Sequence, residues 1–199
     1  MRLENLTSMQ IDFLKELTNI GGGNAATALS QMVNRPIKME IPTVKLLPYQ
    51  KLFSDIMKEE ELVNAISIRI LGDVPGTFLF ILKEKDCLDL IEMLTGNIVK
   101  SLDEVAISTL QEICNIICSS YMNALSRMLN LTFISSVPAF AQDMFGAIFL
   151  TTYIEAGHIE DHLLIIENYF LVNDKKMKAH LFFIPYSGSL EKIFSMINL

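Results

Sequence analysis

Three residues near the start of the chain come back, at unchanged spacing, almost a hundred positions later. Glu16, Asn19 and Pro42 are answered by Glu112, Asn115 and Pro138, because 112 − 16, 115 − 19 and 138 − 42 all equal 96. Asp12 is answered by Ser108 in the same frame, and Ile11, Ala28, Leu29, Ser30 and Met32 by Ile107, Ala124, Leu125, Ser126 and Met128. Such a chain is expected to fold as one domain of two similar halves, approximately 1–97 and 98–199, related by an approximate twofold axis. Apolar positions recur in duplicated folds because packing demands them. A solvent-facing Glu-x-x-Asn pair has no such reason to recur, so the pair marks the surface where function is sought.

The spacing predicts a helix from Leu6 to Met32 and a matching one from Asp103 to Leu129. At 100° per residue, Phe13, Leu14, Leu17 and Ile20 share one wide arc, and Leu110, Ile113, Ile116 and Ile117 share its counterpart. Asp12, Glu16, Asn19 and Gly23 fall together on the other side of the first helix, and Ser108, Glu112, Asn115 and Ser119 on that of the second.

Extended text follows each helix, at Pro36 to Leu47 and at Leu131 to Phe140, with Pro42 and Pro138 unsuited to a central ladder. Val63 to Leu71 and Gly76 to Leu82 flank Gly72-Asp73-Val74-Pro75-Gly76, a hairpin signal. In the second half Leu163 to Val172 and Lys178 to Pro185 flank the turn Asn173 to Lys176, and a further strand is expected at Gly146 to Ile154. Helices at Lys85 to Leu94 and Ser189 to Ile197 close the halves, with Thr95-Gly96-Asn97 as a helix stop. The fold class is therefore α/β and two-layered, a largely antiparallel sheet with two long helices laid on it.

Composition narrows the function from the other side. The apolar fraction is 51%, enough for a core without disulfides or metal. No uninterrupted apolar run approaches the length of a membrane span, and the first residues lack the hydrophobic segment of a secretory signal. A cytoplasmic protein is expected, without membrane insertion. Cys87, Cys114 and Cys118 are odd in number and set in apolar text, which fits buried thiols. A net charge of −7 with no basic run disfavours nucleic acid as a partner, since phosphate-backbone affinity is mainly electrostatic.

The run Glu16-Leu17-Thr18-Asn19-Ile20-Gly21-Gly22-Gly23-Asn24-Ala25-Ala26-Thr27-Ala28-Leu29-Ser30 closely resembles the first signature of the CheC family. Glu112-Ile113-Cys114-Asn115-Ile116 with Asn123-Ala124-Leu125-Ser126 resembles its second. That family's pattern is Asp or Ser, three residues, Glu, two residues, Asn, twenty-two residues, Pro, and both copies satisfy it; Gly22 stands where Ala is common. The resemblance spans essentially the whole chain and implies dephosphorylation of a phosphorylated CheY-type response regulator in chemotaxis. An aspartyl phosphate is already activated, so a catalyst has mainly to place a water in line. A carboxamide can hold that water without offering negative charge to the phosphate, which points to Asn19 and Asn115. By the resemblance, Glu16 and Glu112 pair with a lysine of the regulator, a charge-assisted contact. Asp12 and Ser108 lie at the margin of that contact, and Gly23 and Ser119 complete the partner-facing row. Magnesium belongs to the regulator; no cofactor or metal site is implied here. Binding to the receptor deamidase CheD is a further expectation of the resemblance. The alternative is a non-catalytic scaffold, either a flagellar-switch component or a CheD-binding adaptor.

Gly21 to Gly23 cost on the order of 2–3 kcal/mol in a helix interior relative to Ala, and two reasons for them stay open. Either the backbone there packs closely on a neighbour, or the residues clear space for a docking partner. No Gly-Lys-Ser/Thr follows, so a phosphate loop is not indicated. His158 and His162, with Glu155, Glu160 and Asp161 nearby, sit in an acidic loop between expected strands and read as structural rather than as metal ligands.

Overall fold

Capping chemistry sets the ends of the two long helices. Thr7 and Gln10 form a reciprocal box: the Gln10 amide donates to Thr7 Oγ1 at 3.2 Å, and the Thr7 amide donates to Gln10 Oε1 at 2.9 Å. In the second helix Asp103 accepts from the Ala106 amide at 2.9 Å. Both arrangements satisfy amides that have no partner inside a helix. Each helix stops at an asparagine in the left-handed region, Asn34 with φ 50° and Asn130 with φ 52°. Asn tolerates that conformation better than other residues with a Cβ.

The computed structural model describes residues 6–40, 43–157, 162–172 and 175–197. Its elements are α1 (Ser8–Val33), β1 (Ile37–Met39), β2 (Thr43–Pro48), α2 (Tyr49–Asp55), β3 (Leu62–Gly72), β4 (Gly76–Leu82), α3 (Glu84–Thr95), α4 (Glu104–Leu129), β5 (Phe133–Ser135), β6 (Ala139–Met144), α5 (Phe145–Glu155), β7 (His162–Val172), β8 (Lys175–Pro185) and α6 (Ser189–Met196). The order helix, two strands, helix, two strands, helix thus runs through twice. α4, β5, β6 and α5 begin 96 residues after α1, β1, β2 and α2, since 104 − 8, 133 − 37, 139 − 43 and 145 − 49 agree.

Among the described residues eight strands make one sheet in the order β1-β7-β8-β4-β3-β5, with β2 also on β7 and β6 also on β3. Every pairing is antiparallel. The centre is β4 against β8, with Phe78 opposite Phe183 and Phe80 opposite Leu181. Toward the edges the halves exchange strands: β1 and β2 pair with β7 of the second half, and β5 and β6 with β3 of the first.

β4 is buried along its whole length because both faces of the sheet are covered. On one face Phe78, Phe80, Leu181 and Phe183 meet α1, α3, α4 and α6 through Leu14, Leu29, Leu90, Leu110, Ile113 and Phe194. On the other, Leu79, Ile81, Phe182 and Ile184 meet Leu52 of α2 and Phe145, Phe149 and Tyr153 of α5. This second cover was not foreseen. α2 was not anticipated, and the strand expected at Gly146 to Ile154 is the helix α5. Its Phe, Ile, Thr and Tyr content favours strand locally, but Phe145, Phe149 and Tyr153 recur at helical spacing and stack in sequence on the sheet. Burial of that stripe outweighs propensity.

Asp73, in the turn between β3 and β4, ties the halves together. Its carboxylate accepts from Lys192 Nζ of α6 at 2.8 Å and from the Thr132 amide leading into β5 at 2.9 Å. The Lys192 bond first, and then the Thr132 amide, hold this carboxyl below its usual range. An acid whose folded pKa is lowered contributes stability above its unfolded value of about 3.9, and that contribution fades as pH falls through the lower folded value. Urea unfolding is expected to show Asp73→Asn less stable than the native chain at about pH 6, with the gap closing in the acid range.

All three cysteines are buried. Burial pushes the Cys87 and Cys118 thiols up to about 12 and raises Cys114 well above its ordinary value. The thiolate is the reactive form. Native chain at about pH 8 is therefore expected to resist iodoacetamide, and urea to release all three thiols for labelling.

Candidate functional site

α1 and α4 lie side by side with reversed directions. Leu14, Leu17 and Thr18 from the first half of α1 share a cavity of about 20 Å³ with Tyr121, Met122 and Leu125 from the second half of α4. The packing is close because Gly21 has no side chain: a Cβ placed there would overlap Cδ1 of Tyr121 and come within 2.8 Å of Cγ and Cε1. Gly23 differs, since a Cβ there meets nothing within 4 Å. The two reasons left open for the glycine run thus divide between residues, Gly21 serving packing and Gly23 lying at open surface. Packing against α4 as well as the sheet also turns α1 about its axis. Leu14, Leu17, Gly21, Ala25 and Leu29 are buried, while Ile20, expected on the apolar arc, is 36% exposed.

The opposite side of α1 is the polar row. Asp12, Glu16, Asn19 and Gly23 are all exposed, with Glu16 and Asn19 about one helical turn apart. On α4 Ser108 and Glu112 are exposed, and Asn115 and Ser119 half-buried. Neither carboxamide lies beneath the sheet. Among the described residues, the side chains of Glu16, Asn19, Glu112 and Asn115 have no hydrogen bond or ion pair within the chain. Carboxylates and carboxamides held on rigid helices without internal partners are free to bind something from outside.

The two rows differ in their margins. Lys15 Nζ is 3.0 Å from Asp12 Oδ1. At the matched place on α4, Gln111 Nε2 donates to the Pro138 carbonyl at 2.8 Å, fixing the distant proline of the pattern against the turn that carries Glu112. Reading the sequence missed Gln111; the signal available was a polar residue one position before Glu112, matched to Lys15. Pro42 lies outside the described residues, as do His158, Glu160 and Asp161. Glu155 is engaged by Arg69 at 3.2 Å, and no cluster of His, Cys, Asp and Glu among the described residues is placed to hold a metal ion. No helix of the described structure is long and apolar enough to cross a membrane.

A sheet with exchanged edge strands, overlaid by two helices that each present a free Glu-x-x-Asn row, defines a CheC-like protein. The profile of that family, described as CheC-like, matches residues 9–46 and 105–141. The chain is also 33% identical over 192 residues to the CheY-P phosphatase CheC of Bacillus subtilis (strain 168), covering 93% of this chain and 92% of that one. It therefore belongs to the CheC family. A second relative, the flagellar motor switch phosphatase FliY of the same organism, is 27% identical over 132 residues, 64% of this chain and 34% of that protein. The crystal structure of Thermotoga maritima FliY matches with a TM-score of 0.77 at 22% identity, over 98% of both chains, a likeness of fold.

Proposed function

We propose that this chain is a phosphatase for the aspartyl phosphate of a CheY-type response regulator, with one site on α1 and one on α4. The observation that carries the reading is the pair of unpartnered Glu/Asn rows. Likeness over almost the full length to a protein named CheY-P phosphatase supports it. In this mechanism the carboxamide of Asn19 or Asn115 accepts a hydrogen bond from a water held in line with the phosphorus. The water oxygen forms the new P–O bond while the bond to the aspartyl oxygen breaks. The aspartate leaves as carboxylate, the water gives up a proton, and inorganic phosphate departs. Glu16 or Glu112 binds a lysine of the regulator and sets its orientation, with Asp12, Gly23, Ser108 and Ser119 around the contact. The magnesium is the regulator's. Positioning of this kind asks for rigid placement rather than a shifted pKa.

The same reading places the chain in the cytoplasm, as one domain of two repeats that also binds CheD; family membership supports the CheD part. Phosphate release from a phosphorylated regulator, followed with the chain at substoichiometric amounts, tests the enzyme. Many phosphates released per chain support it. Protection of the phosphate, or an effect that stops at stoichiometry, would leave a docking adaptor instead.

A further inference from the structure

Each polar row has an apolar shoulder. On α1, Met9 is 63% exposed and Ile20 36%; on α4, Val105 is 74% exposed and Ile116 half-buried. These are matched positions, since 105 − 9 and 116 − 20 both equal 96. At 100° per residue, Met9 and Ile20 project about 20° and 40° from the direction of Glu16, both on the side away from Lys15. With a rise of 1.5 Å per residue, one stands about 10 Å before the Glu and the other about 6 Å after it. The same holds around Glu112.

Single exposed apolar side chains are ordinary. What sets these apart is where they persist. Other exposed or half-exposed matched positions on the two helices have changed chemistry: Asp12 against Ser108, Phe13 against Thr109, Lys15 against Gln111, Thr27 against Asn123. The shoulder stays unbranched or branched aliphatic in both, without a core to require it.

We infer that Met9 with Ile20, and Val105 with Ile116, are docking residues that confine the two sites to aspartyl phosphate carried on a folded protein. This rests on the phosphatase reading and specifies its substrate class. The occupant is a phosphorylated receiver with a cation for Glu16 or Glu112, neither of which has one within this chain, and an apolar patch beside it. A strip about 16 Å long along the helix axis offers nothing to a small acyl phosphate, which can reach only the Asn.

The test isolates each site. Met9→Asp is made in an Asn115→Ala chain and Val105→Asp in an Asn19→Ala chain, and thermal melts confirm folding, as both positions are exposed. kcat/KM for a phosphorylated response regulator is expected to fall roughly tenfold in each, mostly through KM. Kd for the same regulator locked with beryllofluoride should rise by a similar factor. Ile98→Asp, at an equally exposed site between α3 and α4, is expected to change neither. Acetyl phosphate should be hydrolysed no faster with the chain than without it. If the parent chain turns over the regulator but neither KM nor Kd moves in the shoulder variants, or if acetyl phosphate is turned over comparably, the inference is overturned and the phosphatase reading stands. If the parent binds without turnover and the shoulder variants weaken binding, the phosphatase reading fails and the docking role holds. A parent chain that neither binds nor turns over the regulator overturns both.

Discussion

Replacing Asn19 and Asn115 together by alanine is expected to return phosphate release to the response regulator's own unassisted rate. A loss on the order of 10²-fold is the scale for removing the group that places a reacting atom. The fold should survive, because Asn19 is exposed, Asn115 half-buried, and neither side chain bonds to another part of the chain; alanine is also the better helix former. Each single variant should keep the other site's activity, so that the two residual rates add up to that of the parent. Asn→Asp at both positions separates shape from charge. The carboxylate is nearly isosteric but sets negative charge against the phosphoryl oxygens, and activity should be lost as with alanine. Full acceleration in the double alanine variant, measured by phosphate release beside a circular-dichroism melt, would sink the carboxamide assignment.

The second large effect separates neighbouring glycines. Gly21→Leu forces a side chain into the Tyr121 ring, which is buried and backed by Phe78 at a centroid distance of 5.9 Å. Overpacking of that kind costs about 3 kcal/mol, and for a chain of this size the melting temperature should drop by roughly 10 °C. Gly23→Leu meets no neighbour and removes the conformational freedom of glycine, so stability should rise by up to about 1 kcal/mol. The same substitution adds bulk one turn beyond Asn19, and kcat/KM for the phosphorylated regulator should fall. Stability and activity then move in opposite directions at Gly23, an outcome that a purely structural role for the residue does not give.

Much of this was legible in the sequence because the relevant patterns are local or repeated. The spacing located α1 and α4 to within two residues, and the Gly72 to Gly76 signal gave the β3–β4 hairpin. What escaped depended on contacts between distant segments. α5 looked like a strand because Ile148, Thr151, Thr152 and Ile154 favour one; only a sheet face with room for Phe145, Phe149 and Tyr153 makes helix the better answer. Ile20 was assigned to the core because a helix lying on a sheet alone would bury it. The antiparallel partner α4, reached through Gly21 and Tyr121, rotates it outward. The polar rows were readable because they recur, whereas the Gln111 contact with Pro138 spans 27 residues and has no local signature.

The exchange of edge strands has a bearing on chain topology. Because β1 and β2 lie on β7 while β5 and β6 lie on β3, the peptide near Asn97 joins two pieces that already clasp each other. Scission there should leave a nicked molecule that stays whole until it is unfolded. A solitary half would leave β4 without β8 and β3 without its outer neighbours, and a second copy of that half offers the nearest substitute. One long polypeptide thus does the work of a dimer, with its two subunits free to differ.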